Sequence, residues 1–302
     1  MMASRKGMGM LIDLIQVPYD SGHRDQRMGA GPGHLVANGA IERLQDAGVQ
    51  VRETTIGLEP GFTAEVRAAF DLARATAFAV RVARGRGSLP VVLAGNCISA
   101  VGTVAALPQP GTGVVWLDAH GDLNTPETTT SGMMDGTALA TVLGRCWTRL
   151  AGMIDGYVPV PEEHVLLAGA RDLDEPERYY LERSRILFAG PDAVRGGNSL
   201  AERLDALAGR VEGVYLHLDL DVHDPGEGRA NGFAAPGGLS ADEVRGLVRQ
   251  VAERVPITAA AITAYDPSCD ADGRMLAIAL DLLQTIAETA ADRQPAEDGG
   301  GS

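Results

Sequence analysis

Short apolar runs alternate with longer amphipathic stretches along most of the chain, and this alternation restricts the possible folds more than any single motif does. Eight apolar runs are predicted to form strands, at residues 11–17, 49–53, 91–94, 114–117, 165–168, 186–188, 214–218 and 257–263. Helices are predicted between them, at residues 34–47, 63–84, 99–106, 200–207 and 240–253. Strands that alternate with helices are joined by crossover connections, so we predict an α/β fold with a mostly parallel sheet that helices cover on both faces.

The length and the composition allow one large domain. The chain has 302 residues, of which 45% are hydrophobic, and this is enough to bury a substantial core. Because the composition does not shift along the chain, a single domain is predicted at residues 10–289. The Met/Gly-rich start, residues 1–9, and the polar, Gly-rich end, residues 290–302, are predicted to be disordered. Neither a membrane span nor a signal peptide is predicted.

The net charge limits the possible binding partners of the protein, and the cysteines indicate its cellular compartment. A formal net charge of -14 disfavours binding to nucleic acids or to anionic membranes. The three cysteines have no regular spacing, which argues against a disulfide framework and favours a reducing cytoplasm. We therefore expect a cytoplasmic protein that acts on a small molecule.

Polar clusters follow five of the predicted strands, directly after the point where each strand ends. They lie at residues 95–97, 118–122, 171–177, 219–224 and 264–267. In open parallel sheets, ligands bind in the crevice outside the carboxyl ends of the strands. The sequence therefore predicts that the chemistry of the protein is concentrated at one edge of the sheet.

Two of these clusters contain the residues of a metal site. Asp118, His120 and Asp122 stand at alternate positions after one strand, and Asp219 and Asp221 stand in the same way after another. Carboxylates and one imidazole suit Mn²⁺ or a similar divalent ion, and five such ligands suit two ions that share bridging carboxylates. The alternative is a loop of helix-capping aspartates, but without a cation such crowded carboxylates would repel one another.

Three further groups of residues have both a functional and a structural interpretation. Cys97 is either a small buried apolar side chain or, because it follows a strand beside the metal crevice, a softer metal ligand. The Thr/Ser/Asn loop at residues 124–132 is either a surface turn or a binding site for a carboxylate. Asp172, Asp174 and Glu177 are either helix-start acids or partners of an ammonium group.

With these residues in place, the chain resembles the arginase family of ureohydrolases from about residue 11 to residue 286. The most specific segment is Asp118-Ala-His-Gly-Asp-Leu-Asn-Thr-Pro-Glu-Thr-Thr-Thr-Ser-Gly132, which is similar to the first metal motif and substrate loop of arginases. Asp219-Leu-Asp221, followed by Asp224-Pro225, is similar to the later metal motif of the family. The resemblance implies a three-layer α/β/α arginase-like fold with a parallel sheet of about eight strands. It also implies hydrolysis of C–N bonds in guanidino compounds with two Mn²⁺ ions.

The resemblance assigns each matching acid, imidazole and thiol to one of the two ions. The first ion would be bound by Cys97, Asp118, Asp122 and Asp219. The second ion would be bound by Asp118, His120, Asp219 and Asp221. Asp118 and Asp219 would therefore bridge the two ions. His217 and His223 bracket the second carboxylate pair, where a role in orienting the ligands is left open.

The resemblance also assigns residues to the substrate. Asn124 and Ser131 would bind the α-carboxylate of an amino-acid substrate, and Asp174 and Glu177 would bind its α-amino group. These residues favour an amino acid over a decarboxylated substrate such as agmatine. Asp122 is expected to accept a hydrogen bond from the attacking hydroxide.

Four positions depart from the family pattern. Cys97 replaces a histidine ligand, and Met133 replaces an asparagine of the substrate loop. Asp135 replaces the histidine that carries protons, so it is either a substitute proton carrier or a solvent-facing aspartate. Ala264 replaces the glutamate that pairs with the guanidinium. A buried guanidinium needs a carboxylate partner, whereas an N-hydroxyguanidine is far less basic and can be bound neutral.

These departures favour Nω-hydroxy-L-arginine as the substrate, with hydroxyurea and L-ornithine as the products. Within the family, the combination resembles the hydroxyarginine hydrolases of D-cycloserine biosynthesis. Two alternatives stay open: hydrolysis of L-arginine or another guanidino acid, and a non-catalytic relative that binds a metal or a ligand. The resemblance implies a trimer or a hexamer, but the polar tail offers no assembly element, so a monomer is an open alternative.

Overall fold

Eight parallel strands form the central sheet of the computed structural model, which describes residues 10–59 and 64–292. The strands within these residues are β1 (Leu11–Val17), β2 (Tyr19–Asp20), β3 (His23–Arg24), β4 (Gln50–Thr55), β5 (Leu89–Ala94), β6 (Thr112–Leu117), β7 (Val165–Ala168), β8 (Leu187–Ala189), β9 (Gly213–Asp219) and β10 (Ile257–Thr263). Their order across the sheet is β4-β1-β5-β10-β9-β6-β7-β8, and β2 and β3 form a separate hairpin. The eight predicted strands are confirmed, to within two residues at each end.

Helices connect the strands of the sheet, and one more follows the last strand. They are α1 (Gly31–Ala37), α2 (Ala40–Asp46), α3 (Glu65–Gly85), α4 (Ala100–Ala105), α5 (Ala138–Val142), α6 (Thr148–Ala151), α7 (Glu175–Leu181), α8 (Pro191–Arg195), α9 (Asn198–Ala208), α10 (Ala241–Arg254) and α11 (Arg274–Ala291). Short 3-10 turns lie at Arg27–Ala30, Cys97–Ser99, Asp135–Thr137, Glu162–His164, Leu220–Val222 and Pro267–Cys269. No helix in residues 10–59 and 64–292 is both long and apolar enough to cross a membrane.

The structure divides one predicted helix and adds five helices that were not predicted, α5, α6, α7, α8 and α11. The helix predicted at 34–47 is two helices, α1 and α2, because Gly39 has a φ of 98° and turns the chain between them. The predicted helices did not include α11, although its buried residues recur at helical spacing. This helix contains Ala290 and Ala291, which were assigned to a disordered tail. The other predicted disordered residues, 1–9 and 293–302, lie outside the described residues.

Two hydrophobic cores lie on opposite faces of the sheet. Successive strand residues alternate between them: Leu93 of β5 belongs to one core and its neighbour Val92 to the other. The first core also contains buried side chains of α2, α9, α10 and α11, and the second contains those of α3, α4 and α5. The helices therefore cover both faces, and the three-layer α/β/α arrangement is confirmed.

The strand order brings the polar clusters together. β5, β10, β9 and β6 are consecutive in the sheet, and the segments that follow them carry Cys97, Ala264, Asp221 and Asp118. Parallel strands end at the same edge, so four segments far apart in the chain meet there. This edge holds the candidate functional site.

The start of α10 provides a test of the local sequence signals. Ser240 Oγ accepts the backbone N–H of Glu243 at 3.2 Å, and Glu243 Oε2 accepts the backbone N–H of Ser240 at 2.8 Å, which together form a capping box. We expect Ser240→Ala to lower the free energy of unfolding by about 1 kcal/mol, because one helix N–H loses its acceptor. The shift of the urea midpoint at unchanged slope measures this loss. Ser240→Asp retains an acceptor and is the control, and equal midpoints for both variants would contradict the prediction.

Candidate metal centre and substrate pocket

The segment after β6 gathers the first group of predicted ligands. Asp118 accepts hydrogen bonds from the backbone N–H of His120 at 2.7 Å and from the indole N–H of Trp116 at 3.1 Å. Nδ1 of His120 lies 3.3 Å from Asp118 and 3.4 Å from Asp221. Asp122 has a φ of 51°, a left-handed conformation that aspartate adopts more readily than most side chains do. Three side chains with metal-binding atoms therefore lie at the carboxyl end of one strand.

The end of β9 places the second carboxylate pair against the first group. Asp219 Oδ1 accepts the backbone N–H of Asp221 at 2.8 Å, and Asp221 Oδ1 accepts the backbone N–H of Ala119 at 3.1 Å. β6 and β9 are neighbours with Leu117 opposite Leu218, so these contacts follow from the register of the two strands. The two predicted ligand segments are therefore in direct contact.

Cys97 joins this cluster from the segment after β5. Its Sγ lies 3.0 Å from Asp219 Oδ2 and 3.2 Å from Thr263 Oγ1, and the side chain is buried. A Cβ at Gly95 would collide with the backbone oxygen of Tyr19, so the close approach of this segment requires glycine. Cys97 is a buried side chain, as one interpretation predicted, and its sulfur also faces a predicted bridging carboxylate.

The electrostatics of the cluster favour positive charge. Burial raises the pKa of Asp219 well above its usual range, and the charges of Asp221 and Asp118 raise it further. Burial also raises the pKa of Asp122, with Asp118 as the strongest charged neighbour. For His120, burial opposes the charged form, but Asp221 and Asp118 outweigh it, so the pKa of His120 is raised. A cation in this cluster would stabilise the charged form of the aspartates, which burial and their mutual repulsion both disfavour.

The donor atoms fit divalent cations. Oδ2 of Asp122 is buried, and no described residue donates a hydrogen bond to it, which leaves an acceptor for a cation. Two groups of three side chains have ligand atoms that all lie within 4.8 Å of one another. One group is Asp118, His120 and Asp221; the other is Cys97, Asp118 and His217. Two neighbouring cations that share Asp118 are compatible with this arrangement. The sequence prediction did not include His217 among the ligands.

The two histidines around the second carboxylate pair differ in their contacts. His217 is stacked on Trp116 with ring centroids 3.6 Å apart, and burial lowers its pKa to about 3. His223 has Nδ1 at 2.9 Å from the Leu220 carbonyl, and burial lowers its pKa to about 4. Both imidazoles are therefore neutral, but only His217 belongs to a group of possible metal ligands in the described residues.

Asp135 is held at the edge of the cluster by both of its carboxylate oxygens. Oδ2 accepts a hydrogen bond from the Asn96 side chain at 2.9 Å, and Oδ1 accepts the Ile98 backbone N–H at 2.9 Å. Burial raises the pKa of Asp135 to about 7, against the effect of these hydrogen bonds. Asp135 is half-buried, lines the cavity described below and bonds to the two residues that flank Cys97, so its role as a proton carrier stays a prediction.

A cavity of about 240 Å³ opens at this edge of the sheet. All predicted site residues except the buried Asp118 line it: Cys97, His120, Asp122, Asn124, Ser131, Asp135, Asp174, Glu177, Asp219 and Asp221. The cavity therefore brings the predicted metal ligands and the predicted substrate residues to one space.

The predicted substrate residues are connected to one another at the start of α7. Glu177 accepts the backbone N–H of Leu123 and that of Asp174, each at 2.9 Å, and Asp174 accepts a hydrogen bond from Asn124 at 2.9 Å. Asp174 is the N-cap residue of the helix, so the helix-start interpretation of these acids is correct. It is compatible with ligand binding, because the same acids line the cavity. Ser131 is exposed at the opening.

Sequence reasoning missed two residues that shape the cavity. Asn231 is buried and donates hydrogen bonds from its side chain to Asp221 Oδ2 at 3.2 Å and to the Ala264 carbonyl at 2.9 Å. Arg171 Nη2 donates to the backbone carbonyls of Asp221 at 3.0 Å and His223 at 3.1 Å. No local motif could have identified them, since their partners are distant in sequence or are backbone atoms.

Known proteins resemble this chain over nearly its whole length. The family model described as the arginase family matches residues 11–288. The arginase of Bacillus caldovelox is 32% identical over 293 residues, which cover 91% of this chain and 97% of that protein. The arginase of Bacillus subtilis (strain 168) is 31% identical over 294 residues, which cover 92% and 98%.

Solved structures show the same relationship. A crystal structure of arginase from Bacillus subtilis subsp. subtilis strain 168 superimposes with a TM-score of 0.84 at 30% identity, covering 92% of this chain and 98% of that one. Together with the fold, these relatives define a metal-dependent hydrolase that acts on C–N bonds of amidines. The chain belongs to the arginase family of ureohydrolases. The resemblance seen in the two aspartate motifs is thus confirmed.

The bridging assignments give a test of the metal centre. We expect the unmodified protein to bind two Mn²⁺ per chain and to melt at a higher temperature with metal, because metal that binds only the folded state stabilises it by about 2.7 kcal/mol at a hundredfold excess over Kd. Asp118→Asn and Asp219→Asn should lose both ions, and Asp221→Asn should mainly lose the second. Metal content after equilibrium dialysis measures this. Glu182→Gln, at an exposed position, is the control, and one ion per unmodified chain at saturating Mn²⁺ would overturn the assignment.

The position of Cys97 gives a second test. If its sulfur is a metal ligand, Cys97 should resist iodoacetamide in the metal-loaded protein and react after chelation, since coordination occupies the sulfur. Peptide mass spectrometry reads the labelling of each cysteine. Cys146 and Cys269 are internal controls whose labelling should not depend on metal. Equal labelling of Cys97 with and without metal would leave only the buried apolar interpretation.

Proposed function

We propose that the enzyme hydrolyses Nω-hydroxy-L-arginine to hydroxyurea and L-ornithine with two bound Mn²⁺ ions. We further propose that the reaction serves antibiotic biosynthesis of the D-cycloserine type. The observation that carries the substrate assignment is the alanine at position 264, where the family pattern has a glutamate. A small neutral side chain at that position removes the counter-ion that a guanidinium requires.

The surroundings of Ala264 support a neutral substrate group. Ala264 follows β10, is 3% exposed and lines the cavity. Its carbonyl already accepts the hydrogen bond from Asn231, and Phe233 and Met28 contribute further uncharged lining. A guanidinium would lose its hydration here without a dedicated carboxylate, at a cost that a neutral hydroxyguanidine avoids.

The acids on the other side of the cavity support an amino-acid substrate. Asp174 and Glu177 are positioned by the start of α7 and by the backbone of Leu123. Their carboxylates suit an α-amino group, and Asn124 with Ser131 offers an amide and a hydroxyl to an α-carboxylate. The substrate would therefore extend from these residues toward the metal ligands.

The chemistry follows from the residues of the cluster. Two divalent cations, when bound, would lower the pKa of a water molecule so that a nucleophile exists at neutral pH. They would be held by Cys97, Asp118, His120, Asp122, Asp219 and Asp221. With Oδ2 of Asp122 left for a cation, its other carboxylate oxygen can accept a hydrogen bond from the attacking water and orient it toward the substrate carbon. Asp135 lines the same cavity, and a pKa near 7 suits a group that carries a proton to the leaving nitrogen.

A second candidate function is the hydrolysis of L-arginine itself. It is favoured by the two relatives at 31% and 32% identity, both of which are named arginase. The same metal ligands and amino-acid contacts would serve either substrate. The two candidates therefore differ in the group that faces Ala264.

Substitution of Ala264 tests the choice between these substrates. We expect efficient turnover of Nω-hydroxy-L-arginine and very slow turnover of L-arginine by the unmodified enzyme. Removing one partner of a buried charge pair costs roughly 3–5 kcal/mol, which corresponds to on the order of a hundredfold to a thousandfold or more in kcat/KM. Ala264→Glu should shift the preference toward L-arginine. Separate assays of urea, hydroxyurea and ornithine provide the measurement.

The matched control for this experiment is Ala264→Gln, which has the same size and the same backbone requirement at a φ of 62° but no charge. If the charge sets the preference, the glutamine variant should lose activity on both substrates without a shift toward L-arginine. Equal kcat/KM of the unmodified enzyme on the two substrates would refute the proposal.

A further inference from the structure

A chain of buried polar side chains lies beneath the cluster and ends at Cys97. The Tyr215 hydroxyl lies 2.8 Å from His217 Nδ1, and His217 Nε2 lies 3.3 Å from Thr263 Oγ1. Thr263 Oγ1 lies 3.2 Å from Cys97 Sγ. These four residues, here called the Tyr215–Cys97 chain, are each at most 2% exposed. Polar groups buried this deeply cost free energy unless each of them forms a hydrogen bond, so the direction of each hydrogen bond in the chain matters.

The donor and the acceptor of each hydrogen bond along this chain can be assigned, starting from the Tyr215 hydroxyl. Within the described residues, His217 Nδ1 is the hydrogen-bond partner of the Tyr215 hydroxyl, and only donation to Nδ1 gives the buried hydroxyl proton an acceptor. A neutral imidazole with an acceptor at Nδ1 carries its N–H at Nε2, and that N–H donates to Thr263. Thr263 then keeps its own proton for an acceptor.

Two acceptors face the Thr263 hydroxyl. The Leu218 carbonyl lies 3.4 Å away, which is long for a hydrogen bond between oxygens. The Cys97 sulfur lies at 3.2 Å, which is close for the larger sulfur atom. A thiolate is also the stronger acceptor because it is charged. The Thr263 hydroxyl therefore donates to Cys97 when that residue is a thiolate.

The same imidazole supports a second predicted ligand. The His217 ring is stacked on Trp116 with centroids 3.6 Å apart and planes inclined by 14°. The indole N–H of Trp116 donates to Asp118 Oδ2 at 3.1 Å. The His217 ring therefore contacts both the residue that donates to Cys97, Thr263, and the residue that donates to Asp118, Trp116.

We propose that His217 is a positioning residue for the first metal position, acting through Thr263 on Cys97 and through Trp116 on Asp118. The proposal rests on the assignment of Cys97 as a ligand in the proposed function. A thiolate donates more charge to a metal than an oxygen ligand does, and a hydrogen bond to the sulfur reduces that donation. The Tyr215–Cys97 chain would thus adapt a soft ligand to an ion that prefers hard ones.

Metal affinity tests this proposal without any substrate. We expect His217→Gln and Thr263→Val to weaken Mn²⁺ binding at the first position by roughly 10–100-fold, the usual effect of losing a partner of a metal ligand. The double variant should be weaker by less than the product of the two single effects, because both act through one hydrogen bond. Competition with a fluorescent chelator measures the affinity. Thr263→Ser, which keeps the hydroxyl, and His223→Gln, at the other buried histidine, should bind Mn²⁺ like the unmodified protein.

A spectroscopic measurement reads the sulfur directly. In the Co²⁺-loaded protein, the thiolate-to-cobalt charge-transfer band should move to longer wavelength in His217→Gln and Thr263→Val, because the sulfur donates more charge without its hydrogen bond. His223→Gln should leave the band unchanged, and Cys97→Ser should remove it. If His217→Gln does not fold, Thr263→Val against Thr263→Ser tests the same hydrogen bond.

Two results would overturn the proposal. One is complete loss of the first ion in His217→Gln with unchanged affinity in Thr263→Val, which would make His217 a direct ligand. The other is an unchanged affinity and an unchanged cobalt band in both variants. Neither result depends on the substrate, so a failure here is distinguishable from a failure of the hydroxyarginine assignment, which product analysis of the unmodified enzyme decides.

Discussion

Repulsion among four buried aspartates where β6 meets β9 is the constraint on which the rest of the site depends. Asp118, Asp122, Asp219 and Asp221 are each at most 6% exposed. Backbone N–H groups of Ala119, His120 and Asp221, together with the indole of Trp116, donate to this group and hold its geometry. Burial, and then the charge of neighbouring aspartates, raises the pKa values of Asp118, Asp122 and Asp219, whereas for Asp221 the charge of His120 and hydrogen bonds together outweigh burial and lower the pKa. Positive charge is therefore what stabilises the four carboxylates in this buried position.

Much of the fold could be predicted because its signals are local. Apolar runs and helical spacing each depend on neighbouring residues, and the eight strands of the central sheet were found from the apolar runs. The order of the strands could not be predicted in this way, because it depends on packing between distant segments. The break at Gly39 was missed for another reason: the conformation of one glycine outweighed a continuous helical pattern.

The residues of the site also differ in whether local sequence signals indicate them. The aspartate motifs and Cys97 could be found because each follows a strand in sequence, and parallel strands end at one edge. Asn231 and Arg171 bond to groups that are close to them only in the folded chain, so no motif indicates their contacts. His217 could be noticed beside the second carboxylate pair, but its contacts with Trp116 and Thr263 depend on the fold. Asp174 and Glu177 show a further limit, since helix capping and ligand binding require the same side chains at the same positions.

The contacts of Arg171 affect which residues of the pocket can be exchanged during evolution. Its guanidinium is bonded to backbone carbonyls, including those of Asp221, His223 and Ala235, and every amino acid supplies a carbonyl. The residues of the segment that it anchors can therefore be exchanged without loosening the anchor. That segment carries Asn231 and Phe233, which line the cavity. Phe233 in the pocket wall can thus be exchanged while the backbone of Asp221 keeps its place, whereas Asn231 also bonds to the Asp221 side chain. This requires that the planar fork of arginine is retained, which lysine cannot replace.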